Sequence, residues 1–127
     1  MVNTLKSPHM FNFEKLQTWH EAIAFADLVY SLSRNFPPEE RFGLTNQMRR
    51  AAVSISSNLA EGCSRSSKVD YARFVELAAG SLFEVVSQAQ VGRNQGFLDE
   101  DQHRRLYEAA EKQSKILTRL RKSLETS

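Results

Sequence analysis

The sequence predicts an all-α protein, an antiparallel up-down-up-down four-helix bundle, and three observations carry that prediction. Apolar residues recur every three or four positions over four long stretches, the period of a helix with a docking face. No stretch alternates apolar and polar residues for long enough to be a strand. Only five glycines and three prolines punctuate 127 residues, too few turn formers for a many-stranded sandwich. Connections of a few residues between helices of this length pair neighbours antiparallel.

The expected domain is one bundle over residues 12–127, after a disordered tail over residues 1–11 that carries no periodicity. Helix one is expected over about 13–36. Leu16, Trp19, Ile23, Ala26 and Tyr30 form one stripe, and Ala22, Phe25, Val29, Leu32 and Phe36 form a second with the same spacing. The two stripes lie about 100° apart around the helix. Two readings follow: one wide core face, or a core face plus a subunit interface on the second stripe. Pro37-Pro38 ends this helix, because proline lacks the N–H and pushes its predecessor out of the helical region.

Helix two, over about 38–63, starts at Pro38 with Glu39 and Glu40 in its first turn, or else after Gly43. Its stripe is Leu44, Met48, Ala51, Ile55 and Leu59, with Gly62 as the expected C-terminal stop. Ser67-x-x-Asp70 opens helix three (67–95), whose stripe is Tyr71, Val75, Ala78, Leu82, Val85 and Ala89. Phe83 and Val86 add apolar surface on another side, and Gly96 closes the helix. Asp99-x-x-Gln102 opens helix four (99–125), with Leu106, Ala110, Gln113, Leu117, Leu120 and Leu124 in line.

Composition narrows the function classes. Hydrophobic residues at 41% and charged residues at 25% suit a globular domain. A single cysteine excludes an internal disulfide framework. No apolar run reaches the ~18–20 residues of a membrane span, and Met1-Val2-Asn3-Thr4-Leu5-Lys6 lacks the apolar core of a signal peptide. A reducing cytoplasm is the expected compartment, with no membrane partner. No phosphate-cradling glycine loop and no Gly-x-Ser-x-Gly elbow occur. Bundle di-metal sites need two Glu-x-x-His motifs and two further glutamates; only Glu100-Asp101-Gln102-His103 matches, in a first helical turn. Cys63 at a helix C-terminus reads as a passive cysteine, since the dipole disfavours a thiolate there. The expectation is therefore no enzyme, no cofactor and no metal.

Two polar patterns remain. Gln47, Arg50, Ser54, Asn58 and Glu61 share a face of helix two beside its apolar stripe, and Ser81 and Glu84 lie on a matching face of helix three. Polar groups flanking a core seam need partners or water. Arg50 with Glu84 is the expected ion pair, and Asn58 with Ser81 the expected bridge, so that Arg50→Ala or Glu84→Ala would destabilise the fold. Ligand binding and plain solvation are the other readings of this face. On helix four, Arg105, Glu108, Lys112, Lys115, Arg119 and Lys122 form a charged stripe, with Arg104 and Arg121 beside it. Residues 103–127 carry seven Lys or Arg against three Glu, although the whole chain is only +2. Such a stripe is either the solvated outside of a surface helix or a phosphate-binding array driven by counterion release. It has no interleaved aromatics, so base stacking is unsupported there.

The block Leu44-x-x-Gln47-x-Arg49-Arg50-Ala51-Ala52-x-Ser54-Ile55-x-Ser57-Asn58-Leu59-Ala60-Glu61-Gly62, followed by Arg65, Phe74 and Ala78-x-Gly80-Ser81-x-x-Glu84, resembles the four-helix-bundle family of 23S rRNA intervening-sequence proteins. Leu16-x-x-Trp19-x-x-Ala22 and the Tyr30-to-Phe36-Pro37 exit fit as well, so the similarity spans roughly residues 13–125. Leu59 stands where isoleucine is commoner. The resemblance implies a small cytoplasmic bacterial protein and an antiparallel bundle. It also implies a ring-shaped homopentamer, as in the similar accessory proteins of diversity-generating retroelements, which bind nucleic acid and a reverse transcriptase. It implies no biochemical activity for the intervening-sequence members themselves. Two functions follow as expectations: a non-enzymatic oligomer binding structured RNA or DNA, 23S rRNA included, through Arg105, Lys112, Lys115, Arg119 and Lys122; or a scaffold ring docking another protein, such as a polymerase-type enzyme.

Overall fold

The computed structural model describes residues 10–125; the expected tail over residues 1–11 lies outside these except for Met10 and Phe11. The described residues form four helices and no strand: α1 (Gln17–Ser33), α2 (Leu44–Cys63), α3 (Lys68–Asn94) and α4 (Glu100–Ser123). Short 3-10 turns span Asn12–Lys15 and Pro38–Glu40. α1 packs on α2 and α4, and α3 packs on the same two; the backbones of α1 and α3 are not adjacent, nor are those of α2 and α4. The helices thus sit at the corners of a bundle, with α2 and α4 on a diagonal.

Each boundary has a local cause. α1 begins at Gln17 because the chain before it is bent into a 3-10 turn. That turn is held by Phe11 N–H donating to the Glu14 carboxylate (3.0 Å) and by Phe13 packing on Trp19 (4.9 Å between rings). α1 stops at Ser33, short of the expected Phe36: its last bonds tighten into three-residue turns (Arg34 N–H to Ser31 O, Phe36 N–H to Ser33 O), and Pro37 disfavours a helical conformation at Phe36. α2 starts at Leu44, the later of the two expected positions: Glu40 folds back so that its carboxylate accepts the Leu44 N–H at 2.9 Å. Ser67 accepts the Asp70 N–H to cap α3, and Asp99 with Gln102 forms a reciprocal capping box on α4. α3 ends in a Schellman arrangement. Gly96 takes φ +82°, Phe97 N–H donates to Gly92 O (2.8 Å), and Gly96 N–H donates to Arg93 O (3.0 Å).

Gly62 is not the stop that the sequence suggested. It lies inside α2 and is buried, and a Cβ there would sit 2.7 Å from the Phe74 Cβ. The glycine lets α2 approach α3.

The core settles the two stripes of α1. Ala22, Phe25, Val29, Leu32 and Phe36 are buried, so the second stripe faces the core rather than a partner subunit. Of the first stripe only Ala26 is buried, and Tyr30 is exposed. Met48, Ile55 and Leu59 of α2, Val75, Leu82 and Val85 of α3, and Leu106 and Leu117 of α4 complete the cluster. Burying each such side chain contributes about 1.5–3 kcal/mol. Gln113 occupies a leucine-like position on α4 and is buried, and its Nε2 has no hydrogen-bond partner among the described residues.

Candidate nucleic-acid interface

Helix periodicity places Arg105, Lys112, Lys115, Arg119 and Lys122 along one exposed face of α4, about 25 Å end to end at ~1.5 Å per residue. Lys112 reaches Glu21 of α1 at 3.6 Å. Arg105, Lys115, Arg119 and Lys122 form no ion pair within 4.0 Å among the described residues. The flanking arginines are different. Arg104 pairs with Asp101, and Arg121 pairs with Glu76 of α3 and with Glu125. The Glu76 hydrogen bond and charge hold Arg121 still further into its charged form. Asp101, Glu76 and Glu125 are thus taken up by the flanking arginines, while Glu108 within the stripe and Glu111 beside it form no ion pair within 4.0 Å among the described residues, which leaves the stripe with five cations and one carboxylate.

The polar seam between α2 and α3 is assembled differently from the sequence expectation. Ser54 Oγ and Ser81 Oγ are 2.8 Å apart and form the bridge between the helices. Asn58 donates to Ser54 O (2.8 Å) and Ser54 Oγ (3.0 Å), within its own helix, rather than across to Ser81. Arg50 and Glu84 line one groove with Gln47 and Gln88 but form no ion pair, and both are exposed. The Ser54–Ser81 bridge and the approach of Gly62 to Phe74 set Arg50 and Glu84 at about the same level, so they share a groove, but their exposed side chains do not close on each other. Glu61 turns outward to Arg65 at 3.1 Å, and the Arg65 guanidinium sits 4.7 Å over the Phe74 ring. Ser81→Ala is expected to cost about 1 kcal/mol. Arg50→Ala and Glu84→Ala should each stay within about 0.5 kcal/mol of the parent. Urea melts of the three variants check this ranking.

At the α2–α3 elbow, burial of the Tyr71 ring, and then the Cys63 thiol beside it, push the Tyr71 hydroxyl well above the usual phenol range. A phenol that ionises more readily in the unfolded chain stabilises the fold fully below about pH 10 and loses that contribution as pH rises further. Urea midpoints should therefore fall from about pH 10 upward, and Tyr71→Phe should flatten that decline.

Sequence reasoning missed Arg41 and Arg49 as surface features. Arg49 donates to Ser33 Oγ (2.9 Å) and to Tyr30 O (3.3 Å), one of the orphan carbonyls at the end of α1, and its guanidinium lies 4.5 Å over the Tyr30 ring. The partners are 16 and 19 residues away, so no local pattern announces them. Among the described residues no cluster of three or more His, Cys, Asp or Glu is placed to hold a metal ion, and His103 packs beside Tyr107. No helix among these residues is long and apolar enough to cross a membrane.

The sequence profile of the 23S rRNA-intervening sequence proteins matches residues 14–119. The chain belongs to that family. A crystal structure from Bacteroides thetaiotaomicron, described as a protein with unknown function from the S23 ribosomal protein family, superposes with a TM-score of 0.73. It is 18% identical, covers 83% of this chain and is itself 98% covered, which establishes a shared fold. No curated protein matches the sequence. Within this family member the block from Leu44 to Gly62 occupies α2, and Ala51, Ala52, Ile55, Leu59 and Gly62 of it are buried.

Proposed function

We propose that the protein is a non-enzymatic, homo-oligomeric bundle of the bacterial cytoplasm that binds structured RNA through α4. One observation carries the reading: Arg105, Lys115, Arg119 and Lys122 stand in a row on an exposed helix face, with no carboxylate within 4.0 Å of them among the described residues. A cationic row needs only phosphates at matching spacing, and repetition around an oligomer multiplies the effect. The name of the family ties its members to 23S rRNA, which makes that RNA the first ligand to try. A homopentamer, implied by the family resemblance, accords with the apolar surface left outside the core, where Phe83 is 63% and Leu77 52% exposed.

The test is light-scattering size exclusion with and without ribosomal RNA fragments, followed by a salt titration. The reading expects an oligomer whose RNA affinity falls steeply as salt rises. Affinity unchanged between low and moderate salt would sink the RNA assignment, and a monomer at micromolar concentration would sink the assembly. A metal or cofactor found in stoichiometric amount by elemental analysis or mass spectrometry would overturn the non-enzymatic part.

A second reading rests on the groove of about 320 Å³ between α3 and α4, lined by Phe83, Val86, Tyr107 and Ala110. An apolar groove of this kind suits a scaffold that docks another protein, for instance a polymerase-type enzyme. That reading expects a specific protein to co-purify at high salt with no nucleic acid in the preparation.

A further inference from the structure

Diagonally across the bundle from α4, the end of α1, the chain after Pro38 and the outer face of α2 enclose an open groove of about 630 Å³. Tyr30, Arg41, Asn46, Arg49 and Arg50 line it, and no carboxylate does. None of the three arginines forms an ion pair within 4.0 Å among the described residues. Three guanidinium groups gathered without an anion repel one another, and a bound anion relieves that repulsion. The aromatics are as telling as the charge. Tyr30 is 40% exposed and carries the Arg49 guanidinium at 4.5 Å; Phe42 is 85% exposed and carries that of Arg41 at 5.4 Å. Arg49 is also held by Ser33 Oγ and Tyr30 O, so its flat cation is fixed before any ligand arrives.

Cations that hold phosphates, beside aromatic rings and guanidinium planes that accept stacked bases, are what an unpaired nucleic-acid strand requires. A duplex hides its base faces and gains nothing from the rings. The α4 stripe lacks aromatics; this groove is lined by Tyr30, with Phe42 next to its Arg41. We infer that the α2 groove binds single-stranded RNA, with Arg41 and Arg50 on phosphates and one base stacked against the Tyr30–Arg49 pair. The site stands on a different face from the α4 row and takes a different form of nucleic acid, so either assignment can fail without the other.

The experiment measures anisotropy of a labelled twelve-nucleotide uridine strand and of a labelled RNA hairpin, with inorganic polyphosphate and poly-glutamate as competitors. Tyr30→Leu is expected to weaken the strand on the order of tenfold and to leave polyphosphate binding unchanged. Arg41→Gln with Arg50→Gln should weaken both ligands and flatten the salt dependence of strand binding by about 1.4 in log–log slope. Lys115→Gln with Arg119→Gln should weaken the hairpin and spare the strand. Strand affinity untouched by Tyr30→Leu, or lost equally in the α4 variant, overturns the proposal. Poly-glutamate displacing the strand at equal charge overturns it in favour of an acidic-peptide site. Because Tyr30 and Arg49 also brace α1 against α2, the unaltered protein is photocrosslinked to a 4-thiouridine strand as well. Adducts at Tyr30 support the groove, and adducts confined to α4 overturn it.

Discussion

Gly62→Ala is expected to destabilise the bundle by about 1–2 kcal/mol, while Gly80→Ala stabilises it by about 0.5–1 kcal/mol. Both glycines lie inside long helices, where alanine gains up to about 1 kcal/mol over glycine in helix propensity. Surroundings decide the sign. At Gly80 nothing lies within 4 Å of the new methyl, and the propensity gain stands alone. At Gly62 the methyl would sit 2.7 Å from the Phe74 Cβ and 3.2 Å from Tyr71 Cδ1. The Phe74 Cβ is fixed to the α3 backbone, so no rotamer change clears it and the two helices must part. Overpacking of that kind costs about 1–3 kcal/mol, more than the propensity gain. Phe74→Leu keeps the offending Cβ and cannot rescue Gly62→Ala. Urea unfolding of the two alanine variants reads the opposite signs directly. Equal shifts in the same direction would mean that α2 and α3 do not close on each other at this elbow.

Why some of this was legible in the sequence and some was not follows from what a period can encode. Helical spacing names the face a residue occupies, and the stripes of α2, α3 and α4 duly became the core, as did the capping pairs Ser67–Asp70 and Asp99–Gln102 at the helix starts. Spacing cannot rank two faces of equal quality. Both stripes of α1 have the same rhythm, and only packing shows that the Ala22–Phe25–Val29 side turns inward. Nor does it report which facing side chains close on each other. Arg50 and Glu84 lie on facing stripes yet do not pair, whereas Ser54 and Ser81 meet at 2.8 Å. Gly62 had a local explanation as a helix stop, and its actual reason, a neighbour twelve residues on, appears only in three dimensions. The basic row of α4 was readable because exposure is the opposite of the apolar stripe. The pairing of Lys112 with Glu21, and the Arg49–Tyr30 stack, join residues that no sequence window holds together.

Reversing Lys112, Lys115 and Arg119 to glutamate should abolish most structured-RNA binding while leaving the fold in place. Exposed helix positions away from packed features change stability by no more than about 0.5 kcal/mol, so circular dichroism and oligomer mass should match the parent. The binding effect is set by counterion release. Each phosphate neutralised on a duplex contributes ~0.9 to the log–log salt slope. Removing three cations from the row should flatten the slope by about 2.7, and that alone corresponds to roughly a 40-fold smaller change in Kd between about 50 and 200 mM salt. Individually the three should not be equal. Lys112 already faces Glu21 at 3.6 Å, so part of its field is neutralised before RNA arrives. Lys115 and Arg119 have no such partner, and Lys115→Gln and Arg119→Gln should each weaken binding more than Lys112→Gln does. Anisotropy titrations at several salt concentrations separate these cases. A triple variant that keeps the parent slope would assign the row to solvation alone, since no arrangement of phosphates on α4 can do without three cations and release the same number of ions.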